Sequence, residues 1–226
     1  MRVLLPMPGN EAMAAGLAAR SSAELGLLET RRFPDQESYV RIVSDVRGKV
    51  VDIVCSLARP DDQFLRLVFA ARTAREMGAT AVNLVAPYLA YMRQDKRFQE
   101  GEAISSIHFA NLLSQMFDNL VTVDPHLHRR NDLGEIFSIP TRVKHAATLL
   151  AEWIKINVER PLVIGPDSES EQWVSAVAQY AGAPYVVLSK QRSGDRQVKI
   201  TVPSLDQWKD RRPVLIDDIV SSGRPW

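Results

Sequence analysis

One cysteine stands in 226 residues, so no disulfide can close within the chain. That excludes a disulfide-stapled scaffold and fits a reducing cytoplasm. Cys55 lies inside the apolar run "VVDIVCSL" and reads as a small buried hydrophobe rather than a reactive thiol. Neither sign of charge dominates: 28 Lys and Arg stand against 27 Asp and Glu, and no basic run exceeds two residues. Such a balance offers no nucleic-acid or membrane surface. Long apolar runs are missing too. The N-terminal "MRVLLPMPGN" is too short for a secretory signal, and nothing approaches the roughly 20 apolar residues of a membrane helix. The expectation is a soluble cytoplasmic protein. With 46% apolar residues it can bury a substantial core.

Short apolar runs alternate with helical patterns along the whole chain. Strand candidates are Arg2 to Met7, Val50 to Leu57, "AVNLVAP", "LVTVD", "PLVIGP", "YVVLSK", "QVKITV" and "RPVLIDD". Helical patterns cover Glu11 to Arg20, Gln63 to Met77, Ile104 to Met116, His145 to Asn157 and Glu169 to Tyr180. "LLETRRF" and "ESYVRI" form a hairpin around Pro34 and Asp35. The alternation predicts an α/β fold of parallel sheets covered by helices. Two stretches repeat: "VLLPMPGNEAMAAGLAA" resembles "VIGPDSESEQWVSAVAQ", and "DIVCSLARPDD" resembles "LIDDIVSSGRP". A duplicated α/β domain accounts for both pairs, with a boundary near Pro140 to Lys144 and domains at 1–142 and 143–226. The first copy continues into a helix and a strand after its loop; the second stops there, so the second domain is expected to be incomplete.

The chemistry concentrates at strand ends. "VLIDD" closes in two acids and runs into "IVSSG". Carboxylates at the carboxyl end of a parallel strand sit where open sheets bind ligands. Ser221, Ser222 and Gly223 are small enough for backbone N–H groups to wrap a phosphate. Asp217 and Asp218 would repel that phosphate, so they suit sugar hydroxyls or a metal. A sugar phosphate satisfies both halves of the pattern; a plain polar turn is the alternative. In "YMRQDKRFQEGE", Arg93, Lys96 and Arg97 can meet phosphate oxygens, or simply form a solvated charged loop. His126 follows a strand and can ligate a metal or donate to a phosphate. Lys190 and Arg192 alternate on an extended segment, so both cations can face one site.

Six stretches in order, "FPDQESYVRI", "PYLAYMRQDKRFQEGEAISS", "VDPHLH", "GPDSES", "SKQR" and "DDIVSSG", resemble the ribose-phosphate pyrophosphokinase family. The resemblance spans the chain, and "YMRQDKRF" is its most specific part. It implies two tandem phosphoribosyltransferase-like domains of type I. It also implies transfer of the diphosphoryl group of ATP to the C1 hydroxyl of ribose 5-phosphate, with release of AMP. The residue roles follow from the same resemblance. Arg93, Gln94 and Asp95 contact ATP. Phe33, Asp35 and Glu37 lie in a turn that reaches the adenine bound in a neighbouring subunit, which implies a homo-oligomer. His126 and Asp167 hold Mg²⁺, and His126 also meets the nucleotide. Lys190 and Arg192 are the catalytic cations, at the start of a flap that runs on to Arg196. Asp217 and Asp218 hold the ribose hydroxyls, and Ser221, Ser222 and Gly223 its 5-phosphate.

Two departures stand out. Glu169 and Ser170 occupy positions where the family usually carries paired glycines. Pro225 replaces the expected Thr and offers neither N–H nor hydroxyl to the phosphate. Weak binding of ribose 5-phosphate and impaired turnover are therefore expected. Two other functions are open: a non-catalytic regulatory partner of an intact synthase, and a phosphoribosyltransferase that consumes phosphoribosyl pyrophosphate.

Overall fold

The computed structural model describes residues 1–192, 198–201 and 205–219, with 189–192 and 198–201 described through their backbone. Two units emerge, Met1–Lys144 and His145–Trp226.

In the first unit the elements run β1 (Arg2–Pro6), α1 (Glu11–Ala19), β2 (Glu24–Leu25), β3 (Leu28–Arg32), β4 (Ser38–Ile42), β5 (Val50–Val54), α2 (Pro60–Glu76), β6 (Ala81–Ala86), α3 (Ser105–Met116), β7 (Leu120–Val123) and β8 (Thr141–Lys144). Six strands form one sheet in the order β2-β1-β5-β6-β7-β8, every pairing parallel. Apolar side chains on both faces explain why β1, β5 and β6 read as mostly apolar runs, interrupted in β5 by Asp52 and in β6 by Asn83, which hydrogen-bond to each other. Val3, Leu5, Ile53 and Leu84 are fully buried and pack with Leu67 of α2 and Leu113 of α3. Asn10 ties two strand ends together: its amide donates to Met7 and its carbonyl accepts from Ser56 N–H at 2.7 Å. Strands β3 and β4 form a separate antiparallel hairpin, Arg32 opposite Ser38.

Helix α2 begins three residues earlier than its periodicity suggests. Pro60 occupies the first turn, where a missing N–H costs nothing, and Asp61 and Asp62 complement the helix dipole. Gly78 (φ 91°) then turns the chain out of the helix. Residues 141–144, expected as a domain connection, instead form the edge strand β8.

The second unit comprises α4 (Ala147–Asn157), β9 (Pro161–Gly165), a 3-10 turn (Ser168–Ser170), α5 (Glu171–Ala181), β10 (Tyr185–Val187), β11 (Ser189–Arg192), β12 (Val198–Thr201) and β13 (Arg212–Leu215). Helix α4 starts after His145, and the helix expected from Glu169 opens with the 3-10 turn instead. Strands β10-β9-β13 form a parallel sheet. Its core joins Val163 to Val174, Val177 and Ala178 of α5, Ile154 of α4 and Ile216. The repeated stretches take matching sheet positions: β1 lies beside β5 as β9 lies beside β13. Pro213 lies in β13, which among the described residues pairs on one side only, with β9. No helix among the described residues is long and apolar enough to cross a membrane.

Candidate functional site

In the first unit the candidate residues sit beyond the carboxyl ends of neighbouring strands β6 and β7, the ligand-binding edge of a parallel sheet. The segment after β6 turns at Tyr91, which has a left-handed backbone (φ 65°). Its hydroxyl donates to the Asp61 carboxylate at the start of α2. That bond, then desolvation and the Asp61 charge, push the Tyr91 hydroxyl up to about 12. Glu102 ties the far side of the segment: its carboxylate accepts Phe98 N–H at 2.8 Å and Gln99 N–H at 3.1 Å. Arg93 and Gln94 are exposed on this braced segment.

Asp95 behaves differently from its two neighbours. Its carboxylate, 3% exposed, accepts two bonds from one Arg129 nitrogen at 2.9 and 3.1 Å. Asp95 is thus the strut that fastens the β6 segment to the β7 segment. Arg129 carries little signal in the sequence, only the pair "RR" in the loop after β7. His126 lies in the same β7 segment, its ring 4.0 Å from that of His128 in an edge-to-face arrangement. The structure therefore brings Arg93, Gln94, Asp95 and His126 to one edge of the sheet.

Phe33, Asp35 and Glu37 sit at the tip of the β3–β4 hairpin. Phe33 N–H donates to Glu37 at 2.8 Å, and the Asp35 carboxylate accepts Glu37 N–H at 3.1 Å. The Arg31 guanidinium lies 4.4 Å from the ring centres of both Phe33 and Tyr39. This cation sandwich holds Phe33 upright while leaving it partly exposed. The hairpin leans on α2 through an ion pair from Arg32 to Asp62 at 3.2 Å.

In the second unit three carboxylates gather at the carboxyl ends of β9 and β13. Asp167 caps the 3-10 turn, one oxygen accepting Glu169 N–H at 3.1 Å and Ser170 N–H at 3.2 Å. Ser170 is buried here, and its hydroxyl donates back to Asp167 at 2.6 Å. A side chain on Gly165 would meet that hydroxyl at 2.3 Å, so the close approach requires glycine. Asp217 and Asp218 follow β13. Burial pushes the Asp217 carboxyl up to about 6, with the hydrogen bond and charge of Asp218 next and the charge of Asp167 a smaller contribution. Crowded carboxylates of this kind accept hydroxyl donors or a hard cation.

Lys190 and Arg192 lie two residues apart on β11, opposite Ile200 and Val198 of β12. Ser221, Ser222 and Gly223, the expected phosphate loop, fall outside the described residues. So do Ser193, Gly194, Arg196 and Pro225. Cys55 is fully buried, its thiol pushed up to about 12 by burial, with Arg66 opposing weakly.

Parallel sheets whose candidate residues lie beyond their carboxyl strand ends, in two units joined in tandem, define a ligand-binding α/β protein. Residues 132–224 match the phosphoribosyl transferase domain. The crystal structure of phosphoribosylpyrophosphate synthetase from Mycobacterium smegmatis shares the fold, with a TM-score of 0.78 at 22% identity, covering 96% of this chain and 70% of that one. Residues 2–116, about half of the chain, match the N-terminal domain of ribose phosphate pyrophosphokinase. The ribose-phosphate pyrophosphokinase of Methanopyrus kandleri is 37% identical over 210 residues, 92% of this chain and 70% of the relative. That of Saccharolobus solfataricus is 35% identical over 207 residues, 89% and 69%. That of Methanothermobacter thermautotrophicus is 32% identical over 223 residues, 98% and 76%. The chain belongs to the ribose-phosphate pyrophosphokinase family.

Proposed function

We propose that this chain transfers the diphosphoryl group of ATP to the C1 hydroxyl of ribose 5-phosphate, giving phosphoribosyl pyrophosphate and AMP. Residues 1–142 carry the nucleotide side and 143–226 the sugar side; the protein works in the cytoplasm as a homo-oligomer. The observation that carries the reading is the carboxylate cluster of Asp167, Asp217 and Asp218 in a chain whose whole length follows one synthase family.

Asp217 and Asp218 accept hydrogen bonds from the ribose hydroxyls, which relieves their mutual repulsion. The small residues Ser221, Ser222 and Gly223 present N–H groups to the 5-phosphate. Arg93, Gln94 and Asp95 meet the nucleotide, and the pair of Asp95 with Arg129 holds their segment in place. Phe33, Asp35 and Glu37 serve the adenine of a neighbouring subunit. Lys190 and Arg192 neutralise charge on the moving diphosphoryl group as the C1 oxygen attacks the β-phosphorus and AMP departs. His126 and Asp167 are the proposed Mg²⁺ ligands. The hard carboxylate oxygens around Asp167 fit that ion, and its chemistry is to neutralise phosphate oxygens.

Incubating the chain with ATP, Mg²⁺ and ribose 5-phosphate and measuring AMP tests the reading. AMP formation that depends on ribose 5-phosphate supports it. Nucleotide binding without AMP points to a regulatory partner, and base-dependent release of diphosphate from phosphoribosyl pyrophosphate to a phosphoribosyltransferase.

A further inference from the structure

We propose that His126 and His128 together clamp a borderline divalent ion, of the class of Ni²⁺, Co²⁺ or Zn²⁺, and bind it before any nucleotide arrives. The inference rests on the metal role proposed for His126; it adds a second ligand and names the class of ion.

The chain holds four histidines, and two of them stand one residue apart in "DPHLH". Alternate residues of an extended segment point to opposite sides. This segment leaves β7 without forming a helix or strand, and its apolar members anchor it: Pro125 is buried and Leu127 packs against the core of the first unit. His126 and His128 emerge together on the other side. Both are half-buried, and their ring centres lie 4.0 Å apart with the planes at 78°. A ring nitrogen of one lies within 4.8 Å of a ring nitrogen of the other. Two imidazoles that share an ion at about 2.1 Å each bring their donor nitrogens to roughly 3 Å. A small rotation of the rings closes that gap while Pro125 and Leu127 keep their places in the core.

The cations next in the chain do not compete for the position. Arg129 spends its guanidinium on the Asp95 carboxylate at 2.9 Å, and Arg130 donates to the Asp95 backbone carbonyl at 3.5 Å. Both are anchored on the β6 segment.

Donor chemistry sets the ion. Imidazole nitrogen suits Ni²⁺, Co²⁺ and Zn²⁺, whereas Mg²⁺ prefers oxygen and keeps several waters. One histidine beside a carboxylate is compatible with Mg²⁺; two imidazoles on one ion shift the preference to a borderline metal. Two anchored protein nitrogens retain such an ion without help from phosphate. They also leave the remaining coordination positions to water and to phosphate oxygens, so the loaded clamp still meets a diphosphate.

The test titrates Ni²⁺, and separately Mg²⁺, into the nucleotide-free full chain without a histidine tag, by calorimetry. Wild type, H126A, H128A and H108A are compared, with circular dichroism as a check on folding; His108 lies on α3 and serves as the control. Wild type should take one Ni²⁺ per chain and no Mg²⁺ at the same concentrations. H126A and H128A should each weaken Ni²⁺ by about ten-fold or more, and H108A should match wild type. Proton NMR of the Co²⁺ form counts the ligands. Wild type should show two exchangeable ring N–H signals displaced by the paramagnetic ion, and H128A one, a change that a merely packed ring cannot produce. An H128A protein that keeps the wild-type affinity overturns the clamp and leaves His126 as it stands. Wild type that takes no Ni²⁺ without nucleotide overturns it too, as does an equal loss in H108A. None of these results touches the AMP formation with Mg²⁺ and ribose 5-phosphate that tests the diphosphoryl transfer.

Discussion

Replacing Arg129 with Ala leaves the Asp95 carboxylate without its guanidinium. The Asp95 side chain is 3% exposed, so water reaches it poorly; that of Arg129 is 41% exposed, so the pair is only half withdrawn from solvent. Breaking a fully buried pair costs about 3–5 kcal/mol and an exposed one about 0–1, which places R129A near 2 kcal/mol. For a chain of this size that is a fall of about 4–8 °C in the midpoint. The chain has two units, so the relevant quantity is the calorimetric transition that contains Met1–Lys144. Asp95→Asn should cost less, because it leaves an arginine that water can solvate. The double variant D95N/R129A should be more stable than the sum of the two losses by about 1 kcal/mol, since no buried charge is left unpaired. Strictly additive losses would refute the strut. So would an R129A protein that melts with wild type. The KM for ATP should also rise in R129A, because Arg93 and Gln94 share the loosened segment.

Four further outcomes follow from the same geometry. The raised Asp217 carboxyl contributes stability that is fully present below 3.8 and lost as the pH rises through about 6. Asp217→Asn should therefore flatten the dependence of the denaturation midpoint between pH 4 and 7; an unchanged slope contradicts the assignment. Asp218→Asn should lower the Asp217 pKa seen by carboxyl NMR without returning it to 3.8, because burial is the larger cause and remains. Gly165→Ala drives a methyl into the Ser170 hydroxyl and shifts the Asp167 turn. A loss of about 1–3 kcal/mol with weakened Mg²⁺-dependent binding is expected from such overpacking, and wild-type thermal stability would argue against it. Cys55 should resist a thiol reagent in the native protein and react fully in denaturant, because its thiol is buried and raised to about 12.

Much of this fold is legible in the sequence because buried parallel strands are mostly apolar runs and their helices carry a clear period. Strand β8 escapes because "TRVK" holds one apolar residue, and an edge strand needs no more. The start of α2 shifts because Pro60 looks like a breaker yet serves as a first-turn residue. The strand-end acids Asp217 and Asp218 stand out as charges that close an apolar strand. Arg129 does not, because its partner Asp95 lies 34 residues earlier and each alone reads as a solvated loop charge. Asp95, expected at the nucleotide, also makes that pair, a contact no local spacing reveals. The cation sandwich that supports Phe33 likewise needs Arg31 and Tyr39 on facing strands, which only the hairpin register brings together.

The central claim is that a sugar C1 oxygen ends bonded to the β-phosphorus of ATP. ³¹P NMR of the protein with ATP, Mg²⁺ and ribose 5-phosphate labelled with ¹⁸O at C1 measures this directly. The account predicts AMP together with a new diphosphate bonded to C1, its C1-linked phosphorus shifted by the heavy oxygen. An unaltered ATP spectrum, or AMP formed without the isotope shift, would contradict it.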